Sequence, residues 1–370
     1  MKAIMLVGGM GTRLQPLTLL YPKPMMPIAN LPLLQHTISH LKRNGIEDII
    51  LSTLHHAEVF EGYFGDGKSF GVNIMYVVEK EPLGTCGAVK NVEDQLKETF
   101  VVLNGDVVTS VDVKRMVDFH KRHKAVGTIY LSPVEDPTIY GLVLITGDGV
   151  VEDFLEKPSW DQVTTNLINA GIYVLEPEVL KMVPKNENYS FERGLFPRLL
   201  KEGKLLYGFP SSAYWLDIGT PEKYLQVNWD VLEGKYLGAF DQPLNQLDRR
   251  IGAGTKIDDT TTLFGTVVIG KNCRIGKNAT ISTPSVIGSD CTISDNAIIE
   301  GSVIMDGCQV GDSCVIKQSI ISRNVKLAER VLVSEKSVIG DNCVINTGNQ
   351  FRSGIKIFPN TEIPRDTIKF

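Results

Sequence analysis

The hydrophobic positions in the last third of the chain recur every six residues. Three phased series of aliphatic residues, separated by shifts of one residue, begin at Ile251, Ile298 and Ile321. Glycine often follows the aliphatic residue, which is typical of a tight turn between short strands. This period predicts a parallel β-helix with three strands per coil, in which each aliphatic side chain points inward and stacks on the coil below.

The first part of the chain has a different pattern, in which short apolar runs alternate with amphipathic stretches. Strands are predicted at 3–7, 48–53, 72–78 and 100–103, and helices at 33–44, 86–96 and 113–120. This alternation predicts a Rossmann-like α/β domain with a mostly parallel sheet, whose ligands bind beyond the carboxyl ends of the strands. We therefore expect an α/β domain at 1–235, a linker at 236–250 that contains Asp241-Gln242-Pro243-Leu244, and a β-helix at 251–370.

Composition narrows the partners that the chain could bind. A net charge of −5 argues against a broad cationic surface for nucleic acid or anionic lipid, so an anionic small molecule needs a local cluster of Lys and Arg. No apolar run is long enough to cross a bilayer or to form a signal-peptide core, which favours a cytoplasmic location. Five of the six cysteines lie four residues after a repeat aliphatic residue, which indicates small buried side chains at one recurring position.

Two basic residues follow the first predicted strand in distinctive surroundings. Arg13 ends the segment Gly8-Gly9-Met10-Gly11-Thr12-Arg13, and Lys23 lies between two prolines in Tyr21-Pro22-Lys23-Pro24-Met25. Successive glycines let backbone N–H groups approach phosphate oxygens, but this spacing is neither that of the dinucleotide fingerprint nor that of the P-loop. The pattern therefore indicates a phosphate site of another kind.

Together, these two segments resemble the signature of the sugar-1-phosphate nucleotidylyltransferases. Further matching segments follow in the same order: Glu81-Pro82-Leu83-Gly84-Thr85, Asn104-Gly105-Asp106, Glu156-Lys157-Pro158, Asn169-Ala170-Gly171 and Trp215-Leu216-Asp217. The resemblance spans nearly all of residues 1–233, and the six-residue repeat is similar to the left-handed parallel β-helix of hexapeptide-repeat proteins. It implies transfer of a nucleotidyl group from a nucleoside triphosphate to a sugar 1-phosphate with release of pyrophosphate, most closely from GTP to mannose 1-phosphate to give GDP-mannose.

The resemblance also implies roles for individual residues. Arg13 would stabilise the departing pyrophosphate, and Lys23 would hold phosphate charge near the reacting α-phosphorus. Asp106 and Asp217 would bind Mg²⁺ through their oxygen atoms. Further nucleotide contacts are implied for Leu6, Gly8, Gly9, Gly11, Thr12, Glu79, Pro82, Gly84 and Thr85, and sugar-phosphate contacts for Gly141, Glu156, Lys157, Asn169, Gly171 and Trp215.

The choice of base depends on Glu79, at a position where thymidylyltransferase relatives have Gln. A carboxylate only accepts hydrogen bonds, which suits the donor-rich edge of guanine better than the mixed edge of uracil or thymine. If Glu79 instead turns outward, the backbone alone would select the base, and uridylyl, thymidylyl or adenylyl transfer to glucose 1-phosphate becomes the alternative.

Two other classes of function remain to be weighed. Relatives with such tails include non-catalytic subunits that sense nucleotide sugars, but a sensor could lose the metal and leaving-group residues, which are all present here. β-Helix acyltransferases typically use a histidine as general base, and all six histidines of this chain precede the repeat. The β-helix is therefore predicted to be a scaffold, an oligomerisation surface or a regulatory platform. Because solenoid ends and edges that expose apolar rows usually need caps or partners, we expect a homo-oligomer.

Overall fold

A computed structural model describes residues 1–238, 240 and 249–369 of the chain. The chain forms two compact units, the first from Met1–Gly9 and Thr37–Trp215 and the second from Met10–His36 and Leu216–Phe370. The predicted linker residues 241–248, including Asp241-Gln242-Pro243-Leu244, lie outside the described residues. The predicted limits at 235 and 251 stay predictions.

The first unit is built on a mixed sheet that has nine strands within the described residues. Four of them are parallel and adjacent, in the order Phe100–Asn104, Lys2–Leu6, Asp48–Thr53 and Asn73–Val78. Leu167–Leu175 lies antiparallel on the other side of Phe100–Asn104. The remaining strands of the sheet are Gly127–Pro133, Gly141–Ile145, Val151–Glu156 and Leu206–Pro210. The predicted Rossmann-like, mostly parallel arrangement is thus confirmed for the strands at the start of the chain.

Helices connect these strands and cover their apolar faces, because a parallel connection must return the chain to the same edge of the sheet. The α-helices are Leu33–Arg43, Ala57–Phe64, Gly84–Lys90, Val113–Arg122 and Phe196–Lys201, and a π-helix spans Phe191–Leu195. Short 3₁₀ turns lie at Lys68–Phe70, Glu93–Gln95, Pro137–Ile139, Trp160–Gln162 and Pro177–Met182. The short strands Val107–Thr109 and Trp215–Asp217 complete the order of elements up to the last helix, Pro221–Leu232.

The second unit contains the β-helix, whose short strands stack in three parallel sheets. The first sheet consists of Arg249–Ile251, Val267–Ile269, Ser285–Ile287, Val303–Ile304, Ile320–Ile321, Val338–Ile339 and Lys356–Ile357. The second consists of Lys256–Ile257, Arg274–Ile275, Thr292–Ile293, Gln309–Val310, Lys326–Leu327, Val344–Ile345 and Glu362–Ile363. The third consists of Thr262–Phe264, Thr280–Ser282, Ile298–Glu300, Val315–Lys317, Leu332–Val333 and Gln350–Phe351.

The repeat aliphatic residues fill the interior of this β-helix, as the six-residue period predicts. The predicted position of the first shift is wrong, however. Ile299 is fully buried and Ile298 is 38% exposed, so the shift falls between Ile299 and Ile304, where the coils become one residue shorter. The strand Ile298–Glu300 carries two adjacent isoleucines, and the alternation of side chains along a strand allows only one of them to point inward. All six cysteines are buried free thiols, which agrees with the filler role predicted for the five in the repeat.

The segment Met10–His36 of the second unit is short and irregular. It holds 3₁₀ turns at Thr12–Leu14 and Lys23–Met25 and a hairpin of Pro27–Ile28 with Leu31–Pro32. The helix Pro221–Leu232 begins at Thr220, whose hydroxyl accepts a hydrogen bond from the N–H of Lys223. Asn228 of this helix accepts the N–H of Ala29 at 2.8 Å, which ties the hairpin to the helix. No helix among the described residues is both long and apolar enough to span a membrane.

Candidate active site

The carboxyl ends of three parallel strands are joined by hydrogen bonds that loop residues after two of the strands donate to the neighbouring strand. The N–H of Val7 donates to Ser52 O and the N–H of Gly105 donates to Leu6 O, each at 2.9 Å. Gly8 lies so close to the next loop that a Cβ atom there would be 3.0 Å from the backbone nitrogen of Leu54. The first glycine of the loop is therefore needed for the close approach of two backbone segments.

The carboxylate of Glu79 is held near the carboxyl ends of these strands by two hydrogen bonds. Its Oε1 accepts from the hydroxyl of Ser52 at 3.0 Å, and its Oε2 accepts from the N–H of Leu83 at 3.1 Å. The carboxylate thereby closes the loop that leads to Gly84. Each oxygen keeps a further lone pair, so the group still has acceptor capacity for a ligand.

The loop from Pro82 to Thr85 is clamped by a segment that the sequence analysis missed. The N–H of Tyr189 donates to Leu83 O at 2.8 Å, and the N–H of Phe191 donates to the hydroxyl oxygen of Thr85 at 3.1 Å. Gly84 has φ +70°, and a Cβ atom there would lie 2.7 Å from Oδ1 of Asn188. The π-helix Phe191–Leu195 begins directly after this clamp, and such helices are frequent at functional sites, but no motif in the sequence marks it.

The predicted sugar-phosphate residues of the first unit lie together. Gly171 has φ +74°, and a Cβ atom there would lie 2.5 Å from Nδ2 of Asn104. Asn169 accepts the N–H of Gly171 at 3.0 Å, and the indole N–H of Trp215 donates to Ala170 O at 2.9 Å. The structure thus brings the Asn104-Gly105-Asp106 turn against the segment Asn169-Ala170-Gly171.

Asn169 is oriented by two residues that the sequence did not identify. Its Nδ2 donates to the hydroxyl of Tyr173 at 3.0 Å, and that hydroxyl donates to Oε1 of Glu192 at 3.1 Å. Burial, with the Glu192 carboxylate as a second cause, raises the pKa of Tyr173 well above its usual range. The phenol therefore stays protonated and keeps donating to Glu192.

Lys157 has an unusual backbone for a residue with a long side chain. Its φ is +51°, a left-handed conformation that is uncommon outside glycine. Its N–H donates to Tyr140 O at 2.9 Å, and the Tyr140 ring lies edge-on to Trp215 at 5.4 Å. Glu156 pairs across the sheet with Gly141, where a Cβ atom would lie 3.0 Å from Oε2 of Glu156. Glu156, Lys157, Gly141 and Trp215 therefore share one part of the first unit.

In the second unit, the buried carboxylate of Asp217 lies beside both predicted cations. Nη2 of Arg13 is 3.5 Å from Oδ2 of Asp217, and Nζ of Lys23 is 3.6 Å from Oδ1. Lys23 is buried, whereas the side chain of Arg13 is 66% exposed. Gly11 has φ +59°, and a Cβ atom there would lie 3.2 Å from Cβ of Lys23. The glycine loop and the Pro-Lys-Pro segment are therefore packed together around one acidic group.

The predicted site residues fall into two groups, one in each unit. The first unit holds Leu6, Gly8, Gly9, Glu79, Pro82, Gly84, Thr85, Asp106, Gly141, Glu156, Lys157, Asn169, Gly171 and Trp215, and the second holds Gly11, Thr12, Arg13, Lys23 and Asp217. Within each unit, the contacts described above join residues from separate sequence segments.

The α/β domain with these motifs and the β-helix that follows it in the chain together define a class of protein. Residues 2–234 match the family model described as nucleotidyl transferase, and residues 253–351 match the model described as the EIF2B subunit epsilon LbH domain. The chain therefore belongs to the nucleotidyl transferase family, and the predicted fold, with a left-handed β-helix after the catalytic domain, is confirmed.

Named relatives narrow the comparison further. The mannose-1-phosphate guanylyltransferase of Mycobacterium tuberculosis is 44% identical over 234 residues, which cover 63% of this chain and 65% of that protein. The mannose-1-phosphate guanyltransferase of Schizosaccharomyces pombe is 36% identical over 280 residues, 74% of either chain. The crystal structure of HddC from Yersinia pseudotuberculosis complexed with GMP-PN matches with a TM-score of 0.54 and 30% identity, over 61% of this chain and 97% of HddC. The chain thus spans slightly less than two thirds of the length of the Mycobacterium relative.

Proposed function

We propose that this protein transfers the guanylyl group of GTP to mannose 1-phosphate, which yields GDP-mannose and pyrophosphate. The observation that carries the proposal is the buried Asp217 carboxylate with Arg13 and Lys23 beside it, in a chain whose family motifs are intact. Support for the substrates comes from the two relatives that are named for this activity.

The proposed reaction is a single displacement at phosphorus. A phosphate oxygen of mannose 1-phosphate forms a bond to the α-phosphorus of GTP, while the bond from that phosphorus to the α–β bridging oxygen breaks and pyrophosphate leaves with the electron pair. The nucleophile is already anionic, so the protein needs no general base and acts by positioning and charge neutralisation. Lys23 would neutralise negative charge near the α-phosphate, and the exposed Arg13 would stabilise the departing pyrophosphate.

We propose Mg²⁺ as the cofactor, with the Asp217 carboxylate as a protein ligand; Asp106 stays the second ligand predicted from the sequence. When bound, the ion would neutralise and orient the phosphates. The donor set fits this hard cation, because Mg²⁺ in phosphate-transfer sites takes oxygen from one or two carboxylates and completes its shell with phosphate and water. The described residues contain no group of three or more His, Cys, Asp and Glu side chains that could hold a metal ion.

Glu79 supports guanine as the base. Its carboxylate is fixed at the loop before Gly84 by Ser52 and Leu83, and its remaining lone pairs can accept from N1–H and the amino group of guanine. Uridylyl, thymidylyl or adenylyl transfer is the alternative, in which Glu79 serves only to close this loop.

Substrate choice can be tested by the release of pyrophosphate. GTP, UTP, dTTP, ATP and CTP are each combined with the 1-phosphates of mannose, glucose, galactose and N-acetylglucosamine in the presence of Mg²⁺. We expect GTP with mannose 1-phosphate to give kcat/KM at least about tenfold above any other pair. A preference for UTP or dTTP would contradict the role of Glu79, and no turnover with any pair would favour a subunit that senses nucleotide sugars.

The role of Asp217 can be tested with Asp217→Asn, which keeps the size of the side chain and removes its charge. We expect kcat to fall by roughly 100-fold and the Mg²⁺ concentration for half-maximal rate to rise, with the circular dichroism spectrum unchanged. Asp290→Asn is the matched control, because Asp290 lies in the β-helix at φ +57°, a conformation that Asn tolerates well. Wild-type turnover in Asp217→Asn would remove this residue from the metal site.

We also propose that the chain forms a homo-oligomer through its β-helix. Large apolar side chains are exposed there at Ile251, Phe264, Ile298 and Phe358. Exposed apolar side chains and open strand edges are typical of surfaces that associate. The cytoplasmic location stays a prediction from the sequence.

A further inference from the structure

A cation of the β-helix lies against the segment that carries Lys23. Within the second unit, Cζ of Arg323 is 3.9 Å from the centre of the Tyr21 ring. The side chain of Arg323 is only 13% exposed, and a guanidinium that is largely shielded from water interacts more strongly with an aromatic face than an exposed one. Tyr21 precedes Lys23 by two residues.

Arg323 is not engaged in a short ion pair that would explain its burial. Its nearest carboxylate is Asp341, which is 1% exposed, but the distance from Nη1 of Arg323 to Oδ1 of Asp341 is 3.9 Å. That oxygen accepts instead from the hydroxyl of Ser322 at 2.7 Å and from the N–H of Arg323 at 3.0 Å. Nη1 of Arg323 and Oδ2 of Asp341 have no hydrogen-bond partner among the described residues. The guanidinium thus lies over the Tyr21 ring at the expense of closer pairing with Asp341.

The chain between Tyr21 and Lys23 is stiff. In Tyr21-Pro22-Lys23-Pro24, each residue either is a proline or precedes one, so its backbone angles are restricted. Pro22 has φ −66° and ψ 141°, and the N–H of Met25 donates to Pro22 O at 2.9 Å as the next turn begins. An orientation imposed on Tyr21 is therefore transmitted to the backbone of Lys23 through few soft torsions.

Other contacts inside the second unit hold the same region to the β-helix. Nδ2 of Asn30, in the hairpin that follows Lys23, donates to Ile287 O at 2.7 Å. The indole N–H of Trp229, in the helix that follows Asp217, donates to Gly301 O at 3.0 Å. The β-helix therefore makes hydrogen bonds to the hairpin that follows Lys23 and to the helix that follows Asp217.

We propose that Arg323 is a positioning residue, which places Lys23 for binding the triphosphate by holding Tyr21 against the β-helix. The role assigned to Lys23 rests on the proposed function. The β-helix then contributes to nucleotide affinity through Tyr21 and Lys23, in addition to any role in assembly.

The kinetic test uses Arg323→Met, which removes the charge but keeps the length, and Arg323→Lys, which keeps a cation. For Arg323→Met we expect kcat/KM for GTP to fall about tenfold while the KM for mannose 1-phosphate is unchanged, and Arg323→Lys should recover most of the loss. Arg274→Met, at an exposed position in the β-helix strand Arg274–Ile275, is the matched control and should behave as wild type.

In a Lys23→Met background, Arg323→Met should change GTP affinity, measured by equilibrium binding, less than about twofold. A full additional loss in that background would overturn the proposal.

A structural readout separates this proposal from the proposed reaction. Hydrogen exchange measured by mass spectrometry should be faster in peptides that cover residues 17–26 for Arg323→Met than for wild type or Arg274→Met, with the β-helix peptides unchanged. Tyr21→Leu removes the aromatic partner of the same contact. This variant replaces Arg323→Met in the comparison if Arg323→Met does not fold. Equal exchange in all folded variants would overturn the positioning role. If wild type shows no turnover with any nucleotide, the reaction is wrong, and the exchange comparison still decides the contact.

Discussion

At the scale of single residues, two glycines in left-handed backbone conformations lie where separate site segments meet. Gly171 at φ +74° packs against the side chain of Asn104, and Gly84 at φ +70° packs against the segment that starts at Asn188. Both glycines lie in motifs that the sequence singled out. The residues that pack against them were found only in the structure. A sequence motif indicates which position needs a glycine, but it does not indicate which residue contacts that position.

Gly171→Ala should be costly for two reasons that can be separated. An alanine there would adopt a disfavoured φ and would place its Cβ 2.5 Å from Nδ2 of Asn104. We expect a loss of about 2–4 kcal/mol in the free energy of unfolding, measured with urea, together with lower kcat/KM as the Asn104-Gly105-Asp106 turn shifts. Gly203→Ala is the control, since Gly203 has φ +66° but nothing within 4 Å of its Cβ position, and it should lose only about 1–2 kcal/mol. Equal losses would show that crowding against Asn104 does not matter.

At the scale of elements, the hydrophobic pattern placed the three helices predicted at 33–44, 86–96 and 113–120 correctly. The predicted length was wrong for one of them. The helix predicted at 86–96 begins at Gly84 and ends at Lys90, and a 3₁₀ turn, Glu93–Gln95, follows. The buried ammonium of Lys90 donates to Glu93 at 2.6 Å and to Leu180 O at 2.8 Å. Val92 and Leu96, which follow Lys90, are still buried in the core, so the helical period of the apolar residues was read correctly. The pattern did not show that the helix ends at Lys90, whose side chain contacts a distant segment at Leu180.

The helix Leu33–Arg43 is joined to the rest of the first unit by a histidine that should make stability depend on pH. Nε2 of His40 is 2.8 Å from Val111 O, and burial, followed by the charge of Arg43, lowers the pKa of His40 to about 4. Between that value and the ordinary value of 6.5, the unfolded chain binds a proton that the folded chain does not. Stability should therefore fall as the pH drops through this window, by up to about 3 kcal/mol.

Urea unfolding across pH 4 to 7 tests this prediction about His40. His40→Gln keeps a donor for Val111 O but cannot titrate, so its stability should vary less with pH than that of wild type. His55→Gln, at an exposed histidine, should keep the wild-type slope. The same slope in His40→Gln and wild type would contradict the assignment.

At the scale of the whole molecule, each of the two kinds of periodicity in the sequence has a matching hydrophobic core among the described residues. One core lies in the sheet and helices of the first unit, and the other fills the β-helix. A β-helix coil contacts only its neighbours, so its terminal coils and outer faces rely on polar side chains or on partners. Phe264, which is 67% exposed, is the largest departure from a polar outer face.

Phe264→Glu should weaken the proposed oligomer. We expect wild type to have a mass above that of one chain by light scattering, and the variant to shift toward the monomer on dilution, because a charge in an apolar contact is costly to bury. Thr262→Glu, at another exposed position in the same strand, is the control. A monomeric mass for wild type at all concentrations would refute the homo-oligomer.

The sequence by itself determined the β-helix, the Rossmann-like strands and the family motifs that are predicted to bind phosphate. These features are local: a coil repeats its own pattern, and a glycine loop needs glycines wherever it folds. The tertiary structure alone decided that Asp217 lies beside Arg13 and Lys23, that Glu192 orients Asn169 through Tyr173, and that Arg323 lies against Tyr21. Periodicity shows which face of an element is buried but carries no information about its partner, so contacts between distant segments become visible only when the chain is folded.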